Sequence, residues 1–191
     1  MLALSRNKWN LLLAGVLLAG SLFIAATRVR PPHTDTVPIV AVSVATDPAP
    51  ITDHPAPGFT LPSLDETNIR LSDLKGQVAL INIWATWCPP CRAEMPTIQA
   101  AYEQYHDQGF RVLAVNLQED PRTVAAFLRE YKLTFPALLD LDGQVSRTYQ
   151  AYSLPSSFFV DRKGIIRAVY RGPMPRSVIA GTVEQLLQEG K

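Results

Sequence analysis

A chain of 191 residues, 47% of them apolar, has room for one ordinary domain with a real core plus an appendage. A formal net charge of +1, with no basic run and no zinc-finger spacing, argues against nucleic acid as a partner. The only two cysteines, Cys88 and Cys91, are too few for a disulfide scaffold and close too small a loop to staple a fold, so they read as reactive.

Residues 1–8 read as a short cytoplasmic tail. The run from Trp9 to Ala26, WNLLLAGVLLAGSLFIAA, carries no charge. As a helix it spans about 27 Å, close to the hydrocarbon thickness of a bilayer. Residues 9–27 are therefore assigned as a transmembrane signal-anchor. The alternative is a cleavable signal with Ile24-Ala25-Ala26 as a weak cleavage site. Arg6 and Lys8 before the run nearly balance Arg28 and Arg30 after it, so the charge rule orients it weakly. A short tail and a long polar chain still place the N-terminus inside. The expected location is the cell membrane, single-pass, with the bulk of the chain extracytoplasmic.

Residues 28–57 are rich in proline and read as an extended, semi-stiff linker that holds a domain off the membrane. Val37 to Ala45 is apolar enough to form a short strand or to lie against the domain. His33 and His54 read as solvated, since no partner ligands accompany them. The folded domain is expected over residues 58–191. Residues 59–61 and 69–71 predict a hairpin, and 72–76 a turn. Residues 78–84 predict a buried strand, followed by a helix to about Gln108 that Gly109 ends. Pro96 lies inside that helix and should kink it. Residues 110–117 predict a second buried strand, and Asp120-Pro121 opens a helix to about Tyr131. A short extended piece at 136–139, a turn at Asp142-Gly143 and a short helix near 145–149 follow. Strands at 156–160 and 165–170 predict a hairpin, and a helix at 175–188 closes the domain. This order implies an α/β fold with a central mixed sheet and helices on both faces.

The cysteines fall where a strand ends and a helix begins. Free amides and the positive end of the macrodipole stabilise an anion there, and the thiolate is the reactive form of cysteine. A C-x-x-C beside a βαβ pattern reads as a redox pair. Cys88 is expected to be the exposed attacker, and Cys91, one turn on and more buried, attacks the mixed disulfide and releases product. A zinc site would need two more soft ligands, and dithiol exchange needs neither metal nor cofactor. Pro89 and Pro90 suit the first helical positions. Both lack N–H groups, so fewer donors reach the Cys88 sulfur. Arg92 is close enough to add positive charge, or is simply a solvated helix residue. Trp87 is expected to cover Cys88 and shape the docking surface, and Trp84 to pack in the core.

The stretch WATWCPPCRAEMP resembles the active-site segment of the thioredoxin superfamily, most closely that of the membrane-anchored, exported TlpA/ResA/CcmG-like thiol-disulfide oxidoreductases. The likeness runs from about Gly58 to the C-terminus, through GFTLPSLDE, the strand before Trp84, Pro96 and SLPSSFFVDRKGII. The anchor and linker agree in layout only. The resemblance implies a thioredoxin fold with an N-terminal β-hairpin and an insert over residues 139–152. It implies that Pro155 is a cis-proline facing the disulfide, the alternative being a trans proline at a strand start. The main chain of Leu154 would then be free to pair with a bound substrate strand. Asn82 stands where common thioredoxins carry a buried acid, and it cannot titrate. In the ResA-like branch an acid at the position of Glu94 tunes the cysteines. A partly buried carboxylate there would accept protons with a raised pKa; the alternative is a surface glutamate.

The resemblance implies an extracytoplasmic disulfide reductase acting on protein disulfides, with the haem-attachment cysteines of apocytochrome c as the family's best-known substrate class. A membrane electron donor of thiol type would recharge it. Three other readings compete. A peroxiredoxin-like peroxidase needs a Thr-x-x-Cys loop, but Thr86 precedes Cys88 by only two. A Sco-like copper-binding assembly factor needs cysteines spaced by three and a late histidine, which this chain lacks. A membrane-tethered adaptor would bind partners without exchange.

Overall fold

In the computed structural model, which describes residues 47–189, strand β3 (Val78–Trp84) is buried at every position. That is why its sequence, VALINIW, shows no polar alternation: both faces of the strand are covered. The expected anchor and most of the linker, including Val37 to Ala45, lie outside the described residues. Within the described residues no helix is long and apolar enough to cross a membrane.

Around β3 the chain builds a mixed sheet in the order β5-β4-β3-β6-β7. Strand β4 (Phe110–Leu117) runs parallel to β3, and β5 (Ala137–Asp140) parallel to β4. Strand β6 (Ser156–Val160) is antiparallel to β3 and pairs with β7 (Ile166–Arg171) as a hairpin. Helix α1 (Pro89–Tyr105) crosses from β3 to β4, and α2 (Pro121–Tyr131) from β4 to β5. A short α3 (Gln144–Thr148) follows β5, and α4 (Arg176–Gln188) closes the chain. Strands β1 (Thr60–Pro62) and β2 (Asn68–Arg70) form a separate antiparallel hairpin. A bridge from Ser63 to Leu138 joins it to the β5 edge.

Alternate residues of β3 serve two cores. Val78, Leu80 and Trp84 face Met95 and Ile98 of α1, Val124 and Phe127 of α2, and Ile179 and Val183 of α4. Ala79, Ile81 and Ile83 face Leu61 of the hairpin and Val145 and Tyr149 of the α3 region. Helices thus cover both faces, as the element order requires.

The differences from expectation are local. The expected turn at 72–76 is a 3-10 turn over Leu71–Leu74. Helix α1 ends at Tyr105, and a 3-10 turn (His106–Gln108) runs to Gly109, whose φ of 94° stops the helix in a conformation glycine adopts without penalty. Pro96 lies inside α1, as expected, on an exposed flank. Asp120 caps α2, its side chain accepting from the Arg122 amide at 2.8 Å.

Residues expected at the end of the linker lie on the domain. The amide of Asp53 donates to the Ile166 carbonyl at 2.7 Å, the amide of Ile166 to the His54 carbonyl at 2.9 Å, and Pro55 bridges Ile165. Proline tolerates this outer position because it has no N–H to leave unpaired. The buried Tyr149 hydroxyl donates to the Pro57 carbonyl at 2.6 Å, and its ring packs edge-on against Phe59 and Phe158.

Replacing Tyr149 with Phe keeps the ring packing and strands a buried carbonyl. The expected cost is about 1–2 kcal/mol, measured as a lower urea midpoint at unchanged slope. A midpoint equal to wild type would show that water replaces the hydroxyl.

Candidate functional site

Strand β3 ends at Trp84, a short turn follows, and Cys88 is the N-cap of α1, with φ −87° and ψ 107°. Helix α1 opens with Pro89 and Pro90, which have no N–H groups, so the first amide the helix presents is that of Cys91. It points at the Cys88 sulfur, N to Sγ 3.3 Å. The next amide, of Arg92, is spent on the Cys88 carbonyl at 3.1 Å. The opening dipeptide therefore leaves one amide, together with the macrodipole, to stabilise charge on that sulfur.

Cys88 and Cys91 form a disulfide, with their Cα atoms 5.3 Å apart. The expectation of an exposed leading cysteine is corrected: Cys88 is 3% exposed and Cys91 0%. The reason is the cap itself. The Cys88 side chain folds back over the first turn to meet Cys91 and its amide, not outward into solvent. Cys91 is the more deeply buried of the two, as expected.

The Leu154–Pro155 peptide bond is cis. In the β3–β6 register Ile83 faces Ser156, so one step further brings Pro155 beside Trp84, at the end of the sheet that carries the cysteines. The Pro155 carbonyl accepts from Gly172 N at 2.8 Å. Among the described residues, neither main-chain group of Leu154 has a partner. Trp87 is 64% exposed and Tyr152 87%, Pro89 is exposed, and Pro90 and Leu154 are half-buried. Trp84 is fully buried against Phe127, with ring centroids 4.9 Å apart.

Glu94 is not a surface residue. It lies one turn after Cys91 on α1 and is buried. Asn82 Nδ2 donates to its Oε1 at 2.9 Å, and the Met174 amide to its Oε2 at 2.6 Å. Burial outweighs both hydrogen bonds and pushes its pKa from the ordinary 4.5 up to about 7. Asn82 Nδ2 also donates to the Ser157 hydroxyl at 2.9 Å, while Asn82 Oδ1 is buried without a partner. A protonated Glu94 becomes a donor, and this unused acceptor lies on the same amide that now binds it.

Arg92 is half-exposed, with Glu130 3.9 Å from its guanidinium, and is not turned to the sulfur. It donates to the Thr86 carbonyl at 3.3 Å and lies over the rings of Phe127 and Tyr131, at 5.5 and 5.3 Å from their centroids. Thr86 is also held by Glu119, a residue that the sequence reading missed. The Thr86 amide donates to Glu119 Oε2 at 2.7 Å and its hydroxyl to Oε1 at 2.5 Å. Asn116 Nδ2 donates to the same Oε2 at 2.7 Å. The available signal was a polar amide inside each of two apolar strands, Asn82 in β3 and Asn116 in β4. Each binds one of these carboxylates. No group of three or more His, Cys, Asp or Glu side chains placed for a metal occurs among the described residues.

The AhpC/TSA family is matched over residues 52–169. The chain is similar to the thiol-disulfide oxidoreductase ResA of Bacillus subtilis, 38% identical over 124 residues, which cover 65% of this chain and 69% of that one. The ResA of Oceanobacillus iheyensis is 35% identical over 135 residues, covering 69% and 70%. Among solved structures, a thiol:disulfide interchange protein of the thioredoxin family from Chlorobium tepidum superposes with a TM-score of 0.65 at 25% identity, over 72% of this chain and 98% of that one.

A raised folded-state pKa makes Glu94 hold its proton where the unfolded chain has released it. Stability is therefore lost as pH rises from about 4.5 to about 7. The loss is about 3 kcal/mol at most and is flat above that window. Glu94→Gln cannot ionise, so its stability should not show this fall, although one of the two donors then meets an amide. Urea titrations of both oxidised proteins from pH 4 to 8 should give a difference curve with that slope; parallel curves would refute the shift.

Proposed function

The chain belongs to the AhpC/TSA family and, within the thioredoxin superfamily, to the ResA-like thiol-disulfide oxidoreductases, and on that footing we propose that it reduces selected protein disulfides outside the cytoplasmic membrane. The observation that carries the reading is the capped disulfide. Cys91 is the more deeply buried of the pair, and the Cys88 sulfur receives the first free amide of a helix.

In the reducing direction the Cys88 thiolate attacks one sulfur of a partner disulfide. That S–S bond breaks, one partner thiolate leaves, and a mixed disulfide joins the proteins. The Cys91 thiolate then attacks the Cys88 sulfur. The second partner thiol is released, the Cys88–Cys91 bond forms, and two electrons have passed to the partner. Cys91 must lose a proton to attack. Glu94, one turn away and poised near neutrality, is the group suited to take it. The unpaired main chain of Leu154 offers a donor and an acceptor to an extended partner segment. Trp87, Pro89 and Pro90 supply an uncharged surface beside it.

The cellular setting rests on residues 9–27 read as an anchor and on the linker after them, up to the stretch at Asp53 to Pro57 that lies on the domain, read as a tether. An exported compartment is generally oxidising, so a reductant there needs recharging; a membrane electron donor of thiol type fills that role. The haem-attachment cysteines of apocytochrome c are the substrate class we assign, on the family resemblance of the sequence. The peroxidase reading loses ground because the Thr86 hydroxyl is committed to Glu119.

A Cys91→Ser variant expressed in its own cells should accumulate mixed disulfides through Cys88, separable on non-reducing gels and identifiable by mass spectrometry. Cys88→Ser should trap none. Equal trapping by the two variants would reverse the assigned roles, and no trapping in cells that depend on the protein would favour the adaptor.

A further inference from the structure

The turn that delivers Cys88 to the head of α1 is held mainly from outside. Among the described residues its one internal backbone bond runs from the Cys88 amide to the Ala85 carbonyl, at 3.3 Å. The remaining restraints fall on Thr86. Its carbonyl is taken by Arg92, and its amide and hydroxyl by the two oxygens of Glu119. Glu119 reaches Thr86 because the chain bends sharply before it. Gln118 has a φ of 54°, in the left-handed region, which costs a non-glycine residue on the order of 1 kcal/mol. The bend is fixed by the Gln118 amide on the Asp140 carbonyl at 3.1 Å, and Asn116 steadies the carboxylate. Backbone strain of this kind collects where geometry must be held for function.

We propose that Glu119 is a positioning residue for the redox couple: by gripping Thr86 it keeps the Cys88 sulfur facing Cys91 and so favours the closed disulfide over two free thiols. The proposal rests on reading Cys88 and Cys91 as a redox couple. Closure is a ring-forming step, and its equilibrium depends on the effective concentration of one sulfur at the other. With the carboxylate gone, Thr86 loses two of its three anchors, and the turn samples positions in which the sulfurs do not meet. Existing disulfide bonds oppose that slack; free thiols do not. Loss of the grip therefore costs the oxidised form more than the reduced form.

The test is equilibration of the purified full chain with glutathione buffers, with dithiol and disulfide counted by alkylation and mass. In the reaction the protein dithiol gives two electrons and two protons to oxidised glutathione. The protein S–S bond forms, the glutathione S–S bond breaks, and two molecules of reduced glutathione are released. Glu119→Ala should lower the equilibrium constant for protein disulfide formation about tenfold, which is about 30 mV for a two-electron couple. Glu119→Gln keeps one acceptor and should fall between. Denaturant melts should agree, the oxidised form losing more stability than the reduced form. A Glu119 that merely supports the fold would weaken both forms equally and leave the glutathione equilibrium at its wild-type value, and that result overturns the proposal. Should the alanine variant not fold, the glutamine variant decides on the same criterion. A wild-type chain that never exchanges with glutathione would overturn both the couple and this inference, whereas a wild type that cycles beside an unaltered variant overturns the inference alone.

Discussion

The contact between the Cys91 amide and the Cys88 sulfur organises the functional end of this molecule. A helix start has several amides seeking partners, and here two are replaced by proline rings. What is left is a single donor with one acceptor in reach, a sulfur whose charge state is the working variable of the chemistry. The rest of the domain serves to keep that contact in register. A fully buried strand brings the chain to the spot, and the turn is gripped by side chains from its neighbours. The strand that follows Pro155 runs antiparallel and carries its cis peptide to the same edge.

Two carboxylates flank this arrangement and solve different problems. Glu94 is buried on the helix with only neutral donors, so its ionised form is poorly supported and it titrates near neutrality. Glu119 receives donors from Thr86 and Asn116 at the rim, where it acts as a clasp. The first suits proton transfer and the second suits alignment. Each is met by an asparagine from a central strand. An amide in a buried strand is costly unless it is paired, so its presence signals a partner with complementary polarity.

The fold was largely legible in the order of apolar runs and breakers. Strands β3, β4 and β6 and helix α2 follow directly from mainly apolar runs, from Asp120-Pro121 and from Leu154-Pro155. Glycine at 109 marks a stop whether the last turn is α or 3-10, which is why only the helix type there went unread. The site was legible in part. Cysteine spacing gives the couple, but exposure of Cys88 depends on which way a cap side chain folds, and linear spacing does not encode that. Glu119 lies far along the chain from Thr86. Only parallel pairing of β3 with β4, which sets Trp84 opposite Asn116, brings the two together. Arg92 could not be placed until α2 supplied the aromatic pair beneath it.

The strip of chain laid along β7 has a consequence for how this domain is handled. Outer strands carry unsatisfied peptide groups that recruit other chains, and natural domains blunt them with proline or a covering segment. Here Asp53 to Pro55 does both at the head of β7. A fragment cut at the first residue of the hairpin would keep both cysteines and every helix among the described residues, yet lay bare a sticky flank; the better place to cut lies upstream, before Asp47.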